Sequence, residues 1–214
     1  MRLGLVTDVH NHTAELAGAL AIFRKREVDR VVTIGDTCDP FLNDDRAGAL
    51  GELLDGCGAT GVWGNHDFTL CRDPPDAVRE RYPPHVLEVM ARMEPRLVLG
   101  DCHFSHMESS VDPFDVEQLW DYGDWPLDLM QRARLAFQAT DSRRQFVGHY
   151  HRWWAATPDG PIDWAGECPL HLDPGNRFFV VVAATCDGWC AILDSDRALL
   201  EPLRCRPDAD PGAA

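Results

Sequence analysis

Apolar residues in this chain come in short runs, and several of the runs stop on acidic, amide or imidazole side chains. Residues 3–7 form one such run, short and closed by polar Thr7, which predicts a buried strand. Residues 13–26 carry Leu16, Leu20, Ile22 and Phe23 at roughly helical spacing and predict a helix. A second buried strand is predicted over residues 30–34, ending at Gly35-Asp36, and a second helix over 44–54, stopped by Gly56 and Gly58. A third strand, residues 60–63, runs into Gly64-Asn65-His66-Asp67. This alternation predicts parallel pairing in an α/β fold. Ligands in open α/β sheets gather at the carboxyl ends of strands, and three polar clusters fall there.

The pattern then changes. Residues 68–95 contain Pro74-Pro75, Pro83-Pro84 and a helical piece over 85–93, which predicts an excursion from the sheet. Residues 97–106 read as a hairpin turning at Gly100-Asp101. Residues 107–126 form a second excursion, acidic and aromatic, and residues 127–138 predict a helix. A short strand at 145–147 leads into Gly148-His149-Tyr150-His151. Strands at 178–184 and 189–193, joined by the Asp187-Gly188 turn, dominate the remainder. No repeat or linker interrupts residues 1–214, so a single domain with two excursions is expected.

Composition narrows the function. Of 214 residues, 45% are hydrophobic, enough for a sizeable core. The formal charge of -15 argues against duplex nucleic acid, which basic surfaces hold. An acidic protein acting on a phosphate would need bound cations to attract that anion. Eight cysteines contain no CxxC pair, which removes the common zinc-ribbon and thioredoxin readings. Asp8 interrupts the first apolar run, so no signal peptide is expected, and the longest apolar stretch is too short for a bilayer. A cytoplasmic protein with mostly reduced thiols, no membrane partner and an open oligomeric state is expected. A Cys186–Cys190 disulfide is the minor alternative.

The polar clusters, in order, are Asp8-x-His10, Gly35-Asp36-x-x-Asp39, Gly64-Asn65-His66-Asp67, His106 and Gly148-His149-x-His151. Taken alone each is weak, since a lone histidine after a strand is more often hydrogen-bonded than metal-bound. Together they bring carboxylates, imidazoles and an amide from five strand ends. A carboxylate has two oxygens and can bridge two cations, which together can clamp a phosphoryl group. Mixed nitrogen and oxygen donors suit Mn, Fe, Zn, Co or Ni better than Mg.

This ordered set resembles the calcineurin-like metallophosphoesterase superfamily, over residues 8–151. The resemblance implies a four-layer α/β/β/α sandwich of two mixed sheets. It implies two divalent cations, one held by Asp8, His10, Asp36 and His151, the other by Asp36, Asn65, His106 and His149. It implies that His66 stands over the phosphate as the catalytic proton donor, that Asp67 orients His66 and that Asp39 supports the ligands. The implied reaction is hydrolysis of a small phosphodiester or phosphomonoester by metal-bound hydroxide.

Two other readings compete. Asp8-x-His10-x-His12 before Thr13 also resembles the start of polymerase-and-histidinol-phosphatase (PHP) domains, which would make His12 a ligand; the later clusters have no place in that pattern. Some relatives keep the fold as protein-binding scaffolds, usually after losing ligands or the residue at His66, and none is missing here. Pro40-Phe41 replaces the Arg-Gly of the protein-phosphatase branch. Length and compact motif spacing are similar to small bacterial phosphodiesterases of the superfamily. Cyclic nucleotides, dinucleoside polyphosphates and other small phosphoesters, nucleotide-type or not, stay open. Arg152 and Tyr150 are candidate substrate contacts, and Trp153 and Trp154 are weighed as stacking or packing residues, with packing favoured. The two excursions are expected to form substrate-selecting walls or, equally, packing elements or a dimer contact.

Overall fold

The computed structural model describes residues 1–42, 46–120 and 129–206. The first half holds β1 (Arg2–Val6), α1 (Thr13–Lys25), β2 (Arg30–Ile34), α2 (Ala47–Gly56) and β3 (Thr60–Val62), in the order the apolar pattern predicts, although α2 starts at Ala47 and runs on through Gly56. The first excursion carries α3 (Phe68–Cys71), α4 (Asp76–Arg81) and α5 (Pro84–Met90). The hairpin β4 (Leu97–Leu99) and β5 (Cys102–Phe104) follows, then α6 (Val116–Trp120), α7 (Leu129–Ala139) and β6 (Arg144–Val147). The chain continues with β7 (Trp154–Thr157), β8 (Gly160–Ile162), β9 (Leu170–His171), β10 (Phe178–Val181), β11 (Trp189–Asp194) and β12 (Leu199–Arg204). Residues 44–45 and 127–128, assigned to helices from sequence, lie outside the described residues.

Among the described residues two mixed six-stranded sheets result, ordered β3-β2-β1-β11-β12-β9 and β4-β5-β6-β10-β7-β8. β1, β2 and β3 are mutually parallel in the first, and β5, β6 and β10 in the second. β10 and β11 are consecutive yet lie in different sheets, so the Asp187-Gly188 turn carries the chain between layers.

Alternation along each strand sorts side chains between layers. Leu3 and Leu5 of β1 and Val32 and Ile34 of β2 face Phe104, Phe146 and Val180 of the second sheet in one buried core. Val6 and Val31 point the other way, beneath Leu16, Phe23, Leu50 and Leu54 of α1 and α2. Phe179 and Val181 lie under Met130, Ala133 and Phe137 of α7. Burial on both faces explains the continuous apolar runs. Each fully buried Leu or Phe contributes roughly 1.5–3 kcal/mol. The four layers are helix, sheet, sheet, helix. No described helix is long and apolar enough to cross a membrane.

Candidate metal centre

Parallel alignment puts the carboxyl ends of β1, β2, β3, β5 and β6 at one edge of the sandwich. Backbone hydrogen bonds tie the loops there: Asp8 N–H to Gly35 O at 3.0 Å, His10 N–H to Asp36 O at 3.0 Å and Gly148 N–H to His106 O at 3.0 Å. His106 Nδ1 lies 2.8 Å from Ile34 O, which joins the two sheets beneath the site. That contact leaves its Nε2 facing the cluster.

Two groups of donors meet there. In one, His151 Nε2 lies 3.3 Å from Asp8 Oδ1, and His10 Nε2 is 3.9 Å from Asp36 Oδ2. In the other, His106 Nε2 lies 3.1 Å from Asp36 Oδ2 and 3.1 Å from Asn65 Oδ1. His149 Nδ1 lies 3.1 Å from the same Asn65 oxygen and 3.3 Å from His106 Nε2. Asp36 Oδ2 therefore faces an imidazole of each group. Asp8, His10 and His151, and separately Asp36, His106 and His149, each place one donor atom within 4.8 Å of the others, the spacing a single ion needs.

The backbone is bent to achieve this. Asp8, His10, Asp36, His149 and His151 have φ of 48°, 44°, 49°, 68° and 52°. Left-handed conformations cost a non-glycine residue about 1–3 kcal/mol and persist where surrounding structure enforces them. Gly64 lets β3 approach closely: a Cβ there would collide with the Asp36 carboxylate. Gly35 has φ of 84°, and a Cβ would sit 2.5 Å from His106 Nδ1.

The charge balance fits a cation site. Asp8 and Asp36 are buried, and their ion-pair partners are imidazoles. Burial opposes ionisation of Asp36, but the charge on His106 overrides it and holds the carboxyl well below its usual range. Burial likewise opposes the charge on His106, and Asp36 overrides it, pushing the imidazole up to about 9. His151 is pushed up to about 11, first by its bond to Asp8 and then by Cys186. Burial and the charged His106 hold His149 down to about 3. Asp67 is raised to about 6 by burial and by the negative charge of Asp36. Buried carboxylates in this arrangement need positive charge, and divalent cations replace protons in that role.

Several expected placements change. Asp67 does not reach His66; its oxygens accept the backbone N–H groups of Gly64 at 2.6 Å and Thr37 at 2.7 Å, bracing two site loops. The carboxylate beside His66 is that of Asp39, whose Oδ2 lies 3.1 Å from His66 Nδ1 and 3.3 Å from His10 Nδ1. Tyr150 is no pocket wall: it is buried, donates to Glu108 Oε2 at 2.6 Å and meets the His149 ring edge-on. Arg132 of α7 completes that buried group by pairing with Glu108. Trp153 packs against Trp164 and Trp189, and Trp154 against Phe179. Arg152 is exposed on the loop after His151. His12 starts α1, with Nδ1 2.9 Å from His10 O and 3.0 Å from Val9 O, so the PHP-type ligand set does not assemble.

Two neighbours escaped sequence reading. The segment after β10 brings Cys186 and Asp187 to the rim, where Asp187 Oδ2 lies 3.5 Å and Cys186 Sγ 3.9 Å from His151 Nδ1. Cys186 and Cys190 are both thiols, so no disulfide joins them. No strand-end motif marks either residue, because their strand follows the last cluster by many residues.

A family model for the calcineurin-like phosphoesterase superfamily domain matches residues 1–177. The chain belongs to that superfamily. Among solved structures, a metallophosphoesterase from Sphaerobacter thermophilus superimposes with a TM-score of 0.73 at 22% identity, over 95% of this chain and 87% of that one. A Thermus thermophilus protein gives 0.58 at 12% identity, over 96% and 99%. An archaeal phosphodiesterase gives 0.54 at 13% identity, over 95% and 99%. These likenesses show the fold. No curated protein sequence matches. For a calcineurin-like phosphoesterase, the site lies where both sheets end.

Proposed function

We propose that this protein is a dinuclear-metal phosphoester hydrolase acting on a small phosphodiester or phosphomonoester. The observation that carries the reading is the position of Asp36, whose Oδ2 lies 3.1 Å from His106 Nε2 and 3.9 Å from His10 Nε2, between the two donor groups. Asp8, His10, Asp36 and His151 would hold one divalent cation, and Asp36, Asn65, His106 and His149 the other. The mixed nitrogen and oxygen donors favour Mn, Fe, Zn, Co or Ni. Such cations supply positive charge to phosphoryl oxygens and acidify a water.

The side chains around them do the rest. Asp39, between the Nδ1 atoms of His10 and His66, directs the Nε2 of His10 towards the Asp36 oxygen. A carboxylate on the far nitrogen fixes the tautomer of a ligand imidazole. The backbone N–H of His66 donates to Asp36 Oδ1 at 2.9 Å, which holds the His66 loop against the bridging carboxylate. The His66 ring meets that of His10 edge-on at 4.6 Å, beside the first donor group. From there His66 donates a proton or hydrogen bond to the departing ester oxygen.

The test is hydrolysis of bis-p-nitrophenyl phosphate and p-nitrophenyl phosphate by protein loaded with Mn, Fe, Zn or Mg. Metal-dependent turnover is expected with at least one substrate. His66→Ala should retain its metal and lose about 100-fold or more in kcat. Normal turnover in that variant would remove His66 from the reaction, and tight metal binding without any hydrolysis would favour a scaffold.

A further inference from the structure

Beyond His66 stands an aromatic wall. The Phe41 ring lies 5.7 Å from His66 and 5.8 Å from Trp120, and Trp120 lies 4.9 Å from His66. Phe41 meets both partners edge-on, at 80° and 75°, and the residue stays 69% exposed.

That exposure is built in. The Phe41 N–H donates to Asp39 Oδ1 at 2.9 Å. Arg81 of α4 donates to Pro40 O and to Leu42 O, both at 2.8 Å, gripping the backbone on either side of Phe41. The same Asp39 carboxylate faces His10 and His66 through its other oxygen. Trp120 ends α6, whose Leu119 is buried and whose first turn is capped by Asp115 Oδ1 at 3.0 Å from Glu117 N and 3.2 Å from Gln118 N. Both residues are therefore held beside the donor groups, Phe41 on the loop after β2 gripped by Arg81 of the first excursion, and Trp120 within the second.

We infer that Phe41 and Trp120 form a subsite for a planar aromatic ring carried on the ester oxygen of the substrate, which rests on the phosphoesterase reading. An exposed apolar ring fixed in water at the rim of a polar site has surface to cover, and stacking is its most favourable use. Ring stacking tolerates any π-face, so aryl groups and nucleobases share this chemistry. The charge of -15 disfavours a further anionic group, whereas a neutral ring meets no such repulsion. His66 lies between this wall and the donor group containing His10, where the ester oxygen must leave.

Equilibrium binding to manganese-loaded protein tests this without turnover. The probes are methylphosphonate, phenylphosphonate and an acyclic adenine phosphonate. Wild-type protein should bind both ring compounds more tightly than methylphosphonate. Phe41→Ala, at an exposed position that leaves the fold intact, should lower the ring-to-methyl affinity ratio about tenfold. Trp120→Ala should do the same and Trp120→Phe should restore it. A larger loss for the adenine compound assigns a nucleobase, and a larger loss for phenyl a simple aryl ester. Equal affinities for all three probes in wild type, or an unchanged ratio in Phe41→Ala, would overturn the subsite. Failure of every phosphonate to bind would remove the phosphoesterase reading and the subsite with it.

Discussion

Replacing Asp39 by asparagine tests how the centre is held together. Oδ1 of Asp39 accepts the Phe41 N–H at 2.9 Å, and Oδ2 faces His66 Nδ1 at 3.1 Å and His10 Nδ1 at 3.3 Å. An amide has one oxygen to place. If that oxygen stays on Phe41, the new NH2 group points at both imidazoles. His10 then gives up the proton on Nδ1 and carries it on Nε2, the atom that faces Asp36. A protonated Nε2 cannot ligate a cation. If the amide flips, two donors meet at the Phe41 N–H, which costs about 1–3 kcal/mol and loosens the Phe41 loop. The amide retains the volume, so the fold should survive. Loss of a supporting carboxylate typically weakens metal binding about 10–100-fold, or roughly 1.4–2.7 kcal/mol. Titration of metal-free protein with manganese should show one class of site weakened by that factor and the other nearly unchanged. Turnover should fall further than metal occupancy, because the negative charge beside His66 is lost as well. Two unaltered affinities and normal turnover would refute the role given to Asp39. Asp67→Asn is the contrasting variant: it should lower the melting temperature more than it changes the His66-dependent step, because the Asp67 carboxylate accepts from the backbone N–H groups of Gly64 and Thr37.

Gly64→Ala places a Cβ against the Asp36 carboxylate, so elemental analysis should find at least one cation missing and activity lost; full occupancy would show that the loop can yield. Chelation should lower the melting temperature of the loaded protein, since a ligand at 100 times its Kd adds about 2.7 kcal/mol, and a coincident melt with and without chelator would contradict a folded-state cation site. The buried His103 is held down to about 4 by burial and then by the charge of Arg96. Its folded pKa lies below the unfolded 6.5, so its stability contribution is present above 6.5 and lost as pH falls towards 4. Urea unfolding of metal-free His103→Asn should therefore vary less across that window than wild type, and equal slopes would show that His103 is not the group responsible.

The sequence carried the order of strands and helices among the described residues up to Trp63 because those strands are buried on both faces and bounded by polar side chains. It also marked the seven metal-ligand candidates that the fold brings to one edge, since each follows its strand within a few residues. Periodicity could not assign the strand after Phe178 and the strand from Trp189 to different sheets, because both are equally apolar and only long-range pairing separates them. For the same reason Cys186 and Asp187 gave no signal: they reach His151 through a layer crossing. Adjacency in sequence suggested Asp67 as the partner of His66, but the turn directs Asp67 inward to backbone amides and leaves Asp39, 27 residues earlier, on the ring. Tyr150 looked available beside two ligands, yet Glu108 and Arg132 from distant segments bury it. Local chemistry thus marked which polar side chains follow the strands to this edge. Folding in three dimensions decided which atoms face one another, because hydrogen-bond direction and sheet membership depend on neighbours that the linear chain does not place side by side.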